Sequence, residues 1–254
     1  MYSSIKITVN DKFAEITLNR PKQRNALTLD MIQELISALN TIKESDAKGV
    51  LLRAEGKSFC SGHDFNDMLA RDLAGMRDLM RTCAEMMQLL HKIPQFVVAS
   101  VNGPAVGAGC QLALSCDMVV AAESAGFRTA GASGGWFCFT PMVAVTRAVG
   151  RKRAIEMLTT GDIISAAQAS EWGMINYAVP DETLYEESLT LLERATRGRP
   201  MMLGLGKDVF YKQIELDESE AYDYAAEIMA STGMLPDAQE RMRAFAEKRK
   251  PRFE

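Results

Sequence analysis

The chain has 254 residues, 47% hydrophobic and 24% charged, with a formal net charge of −4. That balance implies a packed core rather than disorder, and it lacks the basic excess expected of a nucleic-acid binder. Five cysteines without a CxxC pair imply neither a disulfide framework nor a zinc site.

Residues 1–10 hold no cationic stretch followed by an apolar run, so no signal peptide is expected. No stretch of roughly 18 apolar residues occurs, so no membrane helix is expected either. A cytoplasmic protein is the default expectation.

Ile5, Ile7 and Val9 alternate, as do Ala14, Ile16 and Leu18, which predicts two strands joined at Asn10-Asp11. A polar loop, residues 19–25, leads to Thr28 as a helix N-cap. Met31, Leu35, Leu39 and Ile42 then form an apolar stripe. Residues 50–54 read as a strand, 68–91 as one helix ended by Pro94, and 96–101 as a buried strand. Residues 107–116 read as a short helix and 118–122 as another strand. From Val143 onward the pattern is mostly helical, with breaks at Gly150, Gly161, Gly173, Pro180, Pro200 and Pro236. Alternating strands and helices predict an α/β core with parallel pairing over residues 1–190. Residues 191–254 form a helical tail. Its apolar residues, among them Met201, Phe210, Tyr222 and Met229, must pack on the core or on another subunit.

Chemistry-bearing motifs are few. Only His63 and His91 could serve a hydrolytic triad, and there is no GxSxG elbow, HExxH pair or phosphate-binding glycine fingerprint. Two glycine-rich loops each follow a strand: residues 56–64 (GKSFCSGHD) and 101–111 (VNGPAVGAGCQ). In the second, small residues open a helix, where amide groups lack helical acceptors and a ligand can approach the backbone. Fixed N–H donors of this kind suit a developing oxyanion. Each loop alone is a weak signal, because a glycine-rich turn between strand and helix is more often structural.

The two loops in this order, preceded by NRPKQRNAL (residues 19–27), resemble the crotonase (enoyl-CoA hydratase/isomerase) superfamily. Further matching blocks are CDMVVA (116–121), TRAVG (146–150), AIEMLTTG (154–161), ISA (164–166), WGMIN (172–176) and Val179-Pro180. The resemblance spans nearly the whole chain. It implies a crotonase spiral of ββα repeats with a helical C-terminal region that assembles trimers, often paired into hexamers. It implies an acyl-CoA substrate, with coenzyme A as part of that substrate and no resident cofactor or metal. The thioester oxygen would sit between the backbone N–H groups of Ser61 and Ala108, which would stabilise an enolate. CoA contacts are expected from Lys22, Gln23 and Arg24, from Ser61, Gly62, His63 and Asp64, and from Lys248 and Lys250 in the basic C-terminal run.

Two departures stand out. The family's paired glutamates fall at Gln111 and at Ala130-Gly131, so both carboxylates are missing and standard hydration should be slow. The GCQ and FCFTP segments (109–111 and 137–141) resemble the enoyl-CoA hydratase domain-containing branch. His63 is a candidate acid or base against a CoA-flanking role, and Asp64 a helix cap. Asp67 is either a pocket residue or part of a solvated face. Ser133, Cys138 and Thr140 are polar groups near the reacting carbon, and Trp136, Phe137 and Phe139 form an apolar acyl wall or simple core packing. An enolate-forming lyase or isomerase is the leading function. Thioester hydrolysis, decarboxylation, or CoA-thioester binding without turnover are the alternatives.

Overall fold

A computed structural model of the chain describes residues 2–10, 12–131 and 134–253. Its strands are β1 (Ile5–Val9), β2 (Phe13–Leu18), β3 (Gly49–Ala54), β4 (Phe96–Val101), β5 (Ala105–Val106), β6 (Met118–Ala122), β7 (Gly126–Arg128), β8 (Ile164–Ser165) and β9 (Tyr177–Val179). The helices are α1 (Leu29–Lys43), α2 (Phe65–Leu69), α3 (Leu73–Lys92), α4 (Ala108–Leu114), α5 (Pro141–Ala148), α6 (Arg151–Thr160), α7 (Ala166–Glu171), α8 (Leu184–Ala195), α9 (Pro200–Gln213), α10 (Glu218–Gly233) and α11 (Pro236–Ala246).

The larger sheet runs β1-β2-β3-β4-β6-β9. It is parallel except where β1 returns antiparallel to β2. A smaller sheet runs β5-β7-β8. Strand–strand–helix units wind so that each successive turn adds a strand to the larger sheet, which is the crotonase spiral. The central strands β3, β4 and β6 are near-continuous apolar runs because both of their faces are covered. Helix α8 lies on β3, β4 and β6, with Leu184, Leu191 and Leu192 buried. Helix α1 begins where expected: the Thr28 hydroxyl accepts the Met31 N–H at 3.3 Å.

Three expectations are revised. The single helix over 68–91 is two helices, because Asp72 caps a new start by accepting the Gly75 N–H at 2.8 Å. The stretch after Val143 also contains β8 and β9, too short to carry a period of their own. The compact units divide after Gly204 rather than at 190, since α8 belongs to the sheet layer. In the first turn of the chain, the Asn10 side chain accepts the Lys12 and Phe13 N–H groups, while Asp11 lies outside the described residues.

From Leu205 onward the second unit holds most of α9 and all of α10 and α11. Asp217 caps α10 by accepting the Glu220 N–H at 3.0 Å, and α10 buries none of its residues. Arg249 closes the end of this unit on Glu240 at 2.6 Å. No helix of the described residues is long and apolar enough to cross a membrane.

Candidate functional site

The two glycine-rich loops meet through their backbones. Cys60 forms a parallel bridge with Ala105: its N–H donates to the Pro104 oxygen, and its own oxygen accepts the Val106 N–H at 2.9 Å. The fit is so close that a side chain at position 109 would lie 2.1 Å from the Cys60 oxygen, so Gly109 is required there. Gly62 takes a φ of 94°, and its α-carbon faces the Val106 oxygen and the Ala108 nitrogen.

Three residues further along, the first loop pairs on its other side. The Leu27 N–H donates to the Gly62 oxygen at 2.8 Å, and the Asp64 N–H donates to the Leu27 oxygen at 2.9 Å. In such a parallel bridge the intervening residue, His63, turns its own N–H away from Leu27. Among the described residues the His63 N–H has no acceptor. Neither has the Ala108 N–H, which stands at the first position of α4 behind Gly107.

The expected donor Ser61 is therefore corrected. Its N–H is already committed to the Arg24 carbonyl oxygen at 3.0 Å. Arg24 and Asn25 take positive φ values of 51° and 54°, which turns that carbonyl toward the loop. Asn25 is fully buried and its side-chain N–H groups donate to the Glu55 and Ser58 oxygens. The polar loop at 19–25 thus braces the first glycine-rich loop from beneath. Lys22, Gln23 and Arg24 present exposed side chains on that brace.

Ser61, Gly62, His63 and Ala108 border a cavity of about 450 Å³, whose far walls include Phe65, Met80, Gly131, Trp136 and Phe139. Cys138 and Thr140 also line it. Asp64 does not. One of its oxygens accepts the Asn66 N–H at the start of α2, the expected helix cap, and the other pairs with Arg20 at 3.1 Å. Asp67 likewise accepts the Leu29 N–H and pairs with Arg71 at 2.8 Å. Lys248 and Lys250 lie in the second unit, both exposed. Ser133 lies outside the described residues.

Burial pushes the His63 imidazole down to about 4, against the pull of the Asp67 carboxylate in the other direction. The ring is therefore neutral near pH 7 and weakly basic. Its Nε2 is buried without a partner among the described residues. Burial also raises the Cys138 thiol above its ordinary value, so it is protonated near neutral pH.

The positions of the missing carboxylates differ in kind. Gln111 is 5% exposed, and its Oε1 has no partner among the described residues. A glutamate there is a change of one atom. At Gly131 the segment folds back on itself: the Gly131 oxygen accepts the Trp136 N–H at 2.9 Å, and the Gly131 N–H donates to Cys138 Sγ at 3.3 Å. A side chain at 131 would meet the Trp136 oxygen at 2.1 Å and Cys138 Sγ at 2.8 Å. No carboxylate fits there without moving the loop.

Phe65, Met80 and Val106 were not singled out from the sequence as pocket residues. For Met80 the signal was present, since Leu73, Met76 and Met80 recur at helical spacing on one face of α3.

Comparison with known proteins identifies the family and the fold. Residues 8–254 match the family model for enoyl-CoA hydratase/isomerase. The chain is 42% identical to rat enoyl-CoA hydratase domain-containing protein 3, mitochondrial, over 95% of this chain and 81% of the relative. Among solved structures, enoyl-CoA hydratase from Mycobacterium smegmatis superposes with a TM-score of 0.94 at 38% identity, covering 98% of both chains. Human enoyl-CoA hydratase domain-containing protein 3 superposes at 0.93 with 38% identity, covering 99% of this chain and all of that one. The mouse and human relatives, like the rat one, are mitochondrial proteins by name, which overturns the cytoplasmic expectation. The chain belongs to the enoyl-CoA hydratase/isomerase (crotonase) family, within the branch of the enoyl-CoA hydratase domain-containing proteins.

Proposed function

We propose that the protein binds acyl-CoA thioesters and stabilises an enolate by donating the His63 and Ala108 N–H groups to the thioester oxygen. One observation carries this. Two backbone amides on different loops border the same cavity, and neither has an acceptor among the described residues. Unpaired amides in a partly buried site call for an acceptor from outside. Fixed donors of this kind are worth roughly 3 kcal/mol each in a transition state. The exposed side chains of Lys22, Gln23 and Arg24 would contact the CoA moiety. Lys248 and Lys250 would contact the phosphates of a CoA held by a neighbouring subunit.

The chemistry is enolate formation without the paired carboxylates of a standard hydratase. Gln111 can hold a water through its amide, but it cannot take a proton from that water. The crowding at Gly131 favours a second reading, CoA-thioester binding without turnover. Steady-state assays separate the two. Crotonyl-CoA and longer 2-enoyl-CoAs should show slow turnover that Ala108→Pro lowers by about 10²–10³-fold. Tight binding of each thioester with no turnover of any would favour the binder.

Members of this family commonly form trimers. The exposed Tyr222 and Met229 on α10, a helix with no buried residue, support the same assembly here.

A further inference from the structure

The acyl cavity has a character that the missing carboxylates do not explain. Among the described residues, no Lys, Arg, Asp or Glu lines it. Its titratable groups, His63 and Cys138, are both uncharged near pH 7. A charged group on the acyl tail would therefore be buried without a counter-ion, which is costly.

Its polar groups are few as well. Cys138 Sγ already accepts the Gly131 N–H. Thr140 stands at the N-cap of α5, yet its side chain makes no cap hydrogen bond. Beyond Thr140, the first turn of α5 is committed: Pro141 has no N–H, the Met142 N–H donates to the Cys138 oxygen, and the Val143 N–H donates to the Thr140 oxygen.

The cavity is also large for a four-carbon group. At about 450 Å³ it has room for roughly fifteen water-sized groups at ~30 Å³ each. Three aromatic side chains stand at its mouth: Phe65 is 71% exposed, Trp136 49% and Phe139 59%. Single exposed aromatics are ordinary, but several bordering one cavity mark a binding surface. The apolar row Leu73, Met76 and Met80 on α3 extends that surface from the cavity wall, and Leu73 is itself exposed.

Resting on the assignment of His63 and Ala108 to the thioester, we infer that this cavity takes a long, uncharged acyl tail, and that Met80, Trp136 and Phe139 set the chain-length preference. The surface is continuous with the two unpartnered amides, which favours the substrate's own tail over a second copy of the chain as its occupant. The same lack of charge disfavours malonyl-type decarboxylation at this site.

Calorimetry on the full chain tests this with free CoA, saturated acyl-CoAs from acetyl to palmitoyl, and malonyl- and succinyl-CoA. Affinity should rise by up to about fourfold per buried methylene until the tail leaves the cavity. Carboxylated acyl groups should bind more weakly than neutral ones of equal length. Trp136→Ala and Phe139→Ala should each weaken dodecanoyl-CoA at least tenfold more than acetyl-CoA. Equal affinity from acetyl to palmitoyl, with CoA still bound, overturns the inference and leaves the thioester site standing. Failure to bind CoA or any acyl-CoA overturns both. An unchanged chain-length slope in the two variants, accompanied by altered self-association, assigns these aromatics to an interface between copies and also overturns the inference.

Discussion

The Ser61 N–H donates to the Arg24 carbonyl oxygen at 3.0 Å. That bond commits the Ser61 amide, while the His63 amide, two residues on, has no acceptor among the described residues. Pairing of Leu27 with Gly62 and Asp64 on the opposite side completes the arrangement. The proposed donor at position 63 is thus set by main-chain geometry, and side-chain substitutions at 61 and 63 leave that amide in place.

A proline at position 108 tests the second donor. Ala108 is the first residue of α4, where proline is well tolerated because that amide has no helical acceptor. Ala108→Pro should lower kcat on any turned-over thioester by about 10²–10³-fold, with the thermal midpoint nearly unchanged. Stopped assays beside a melting curve check this. Undiminished kcat would remove Ala108 from the oxyanion site.

Gln111→Glu should raise crotonyl-CoA hydration by up to about 10²-fold, since one general base is restored without its partner. The new carboxyl would be buried where Gln111 Oε1 has no donor among the described residues, so its pKa should lie above the ordinary carboxylate value. The rate should therefore climb with pH as the carboxylate forms. Absence of any gain across the pH range, with acyl-CoA still bound, would mean that the acyl group lies elsewhere.

Gly131→Glu should fail where Gln111→Glu succeeds. Its β-carbon would fall 2.1 Å from the Trp136 oxygen, so the loop must move, at a typical overpacking cost of about 1–3 kcal/mol. Urea denaturation and a hydration assay read both effects. A variant as stable as the parent, with faster hydration, would contradict the crowding described at this position.

His63 predicts a pH dependence of stability. Its folded value of about 4 lies below the unfolded value of 6.5, so the unfolded chain binds more protons between the two. The stabilisation is present above about 6.5 and is lost as pH falls toward 4, with a size on the order of 3 kcal/mol. His63→Asn should flatten that limb relative to the parent. Urea midpoints at pH 7 and 4.5 measure it, and parallel losses in both proteins would refute the assignment.

Much of the fold was legible because local chemistry and long-range packing agree. Thr28 announces α1, and the apolar runs of β3, β4 and β6 announce buried parallel strands. The break at Asp72 was missed because apolar spacing continues across it. The two-residue strands β5 and β8 carry no periodicity to detect. At the proposed site, the meeting of the two loops follows their order in the sequence, but the commitment of the Ser61 amide and the open His63 amide do not. Both depend on Arg24 and Leu27, which approach from more than thirty residues away in sequence. The impossibility of a side chain at 131 likewise arises from the return of Trp136 and Cys138 onto it.

Infrared difference spectra of an acyl-CoA with a ¹³C-labelled thioester carbonyl read the proposed hydrogen bonds directly. Bound to the parent protein, the labelled carbonyl should absorb at lower frequency than in water, because two fixed donors polarise it, and Ala108→Pro should reverse much of that shift. A bound carbonyl at its solution frequency, unchanged by Ala108→Pro, would contradict the account.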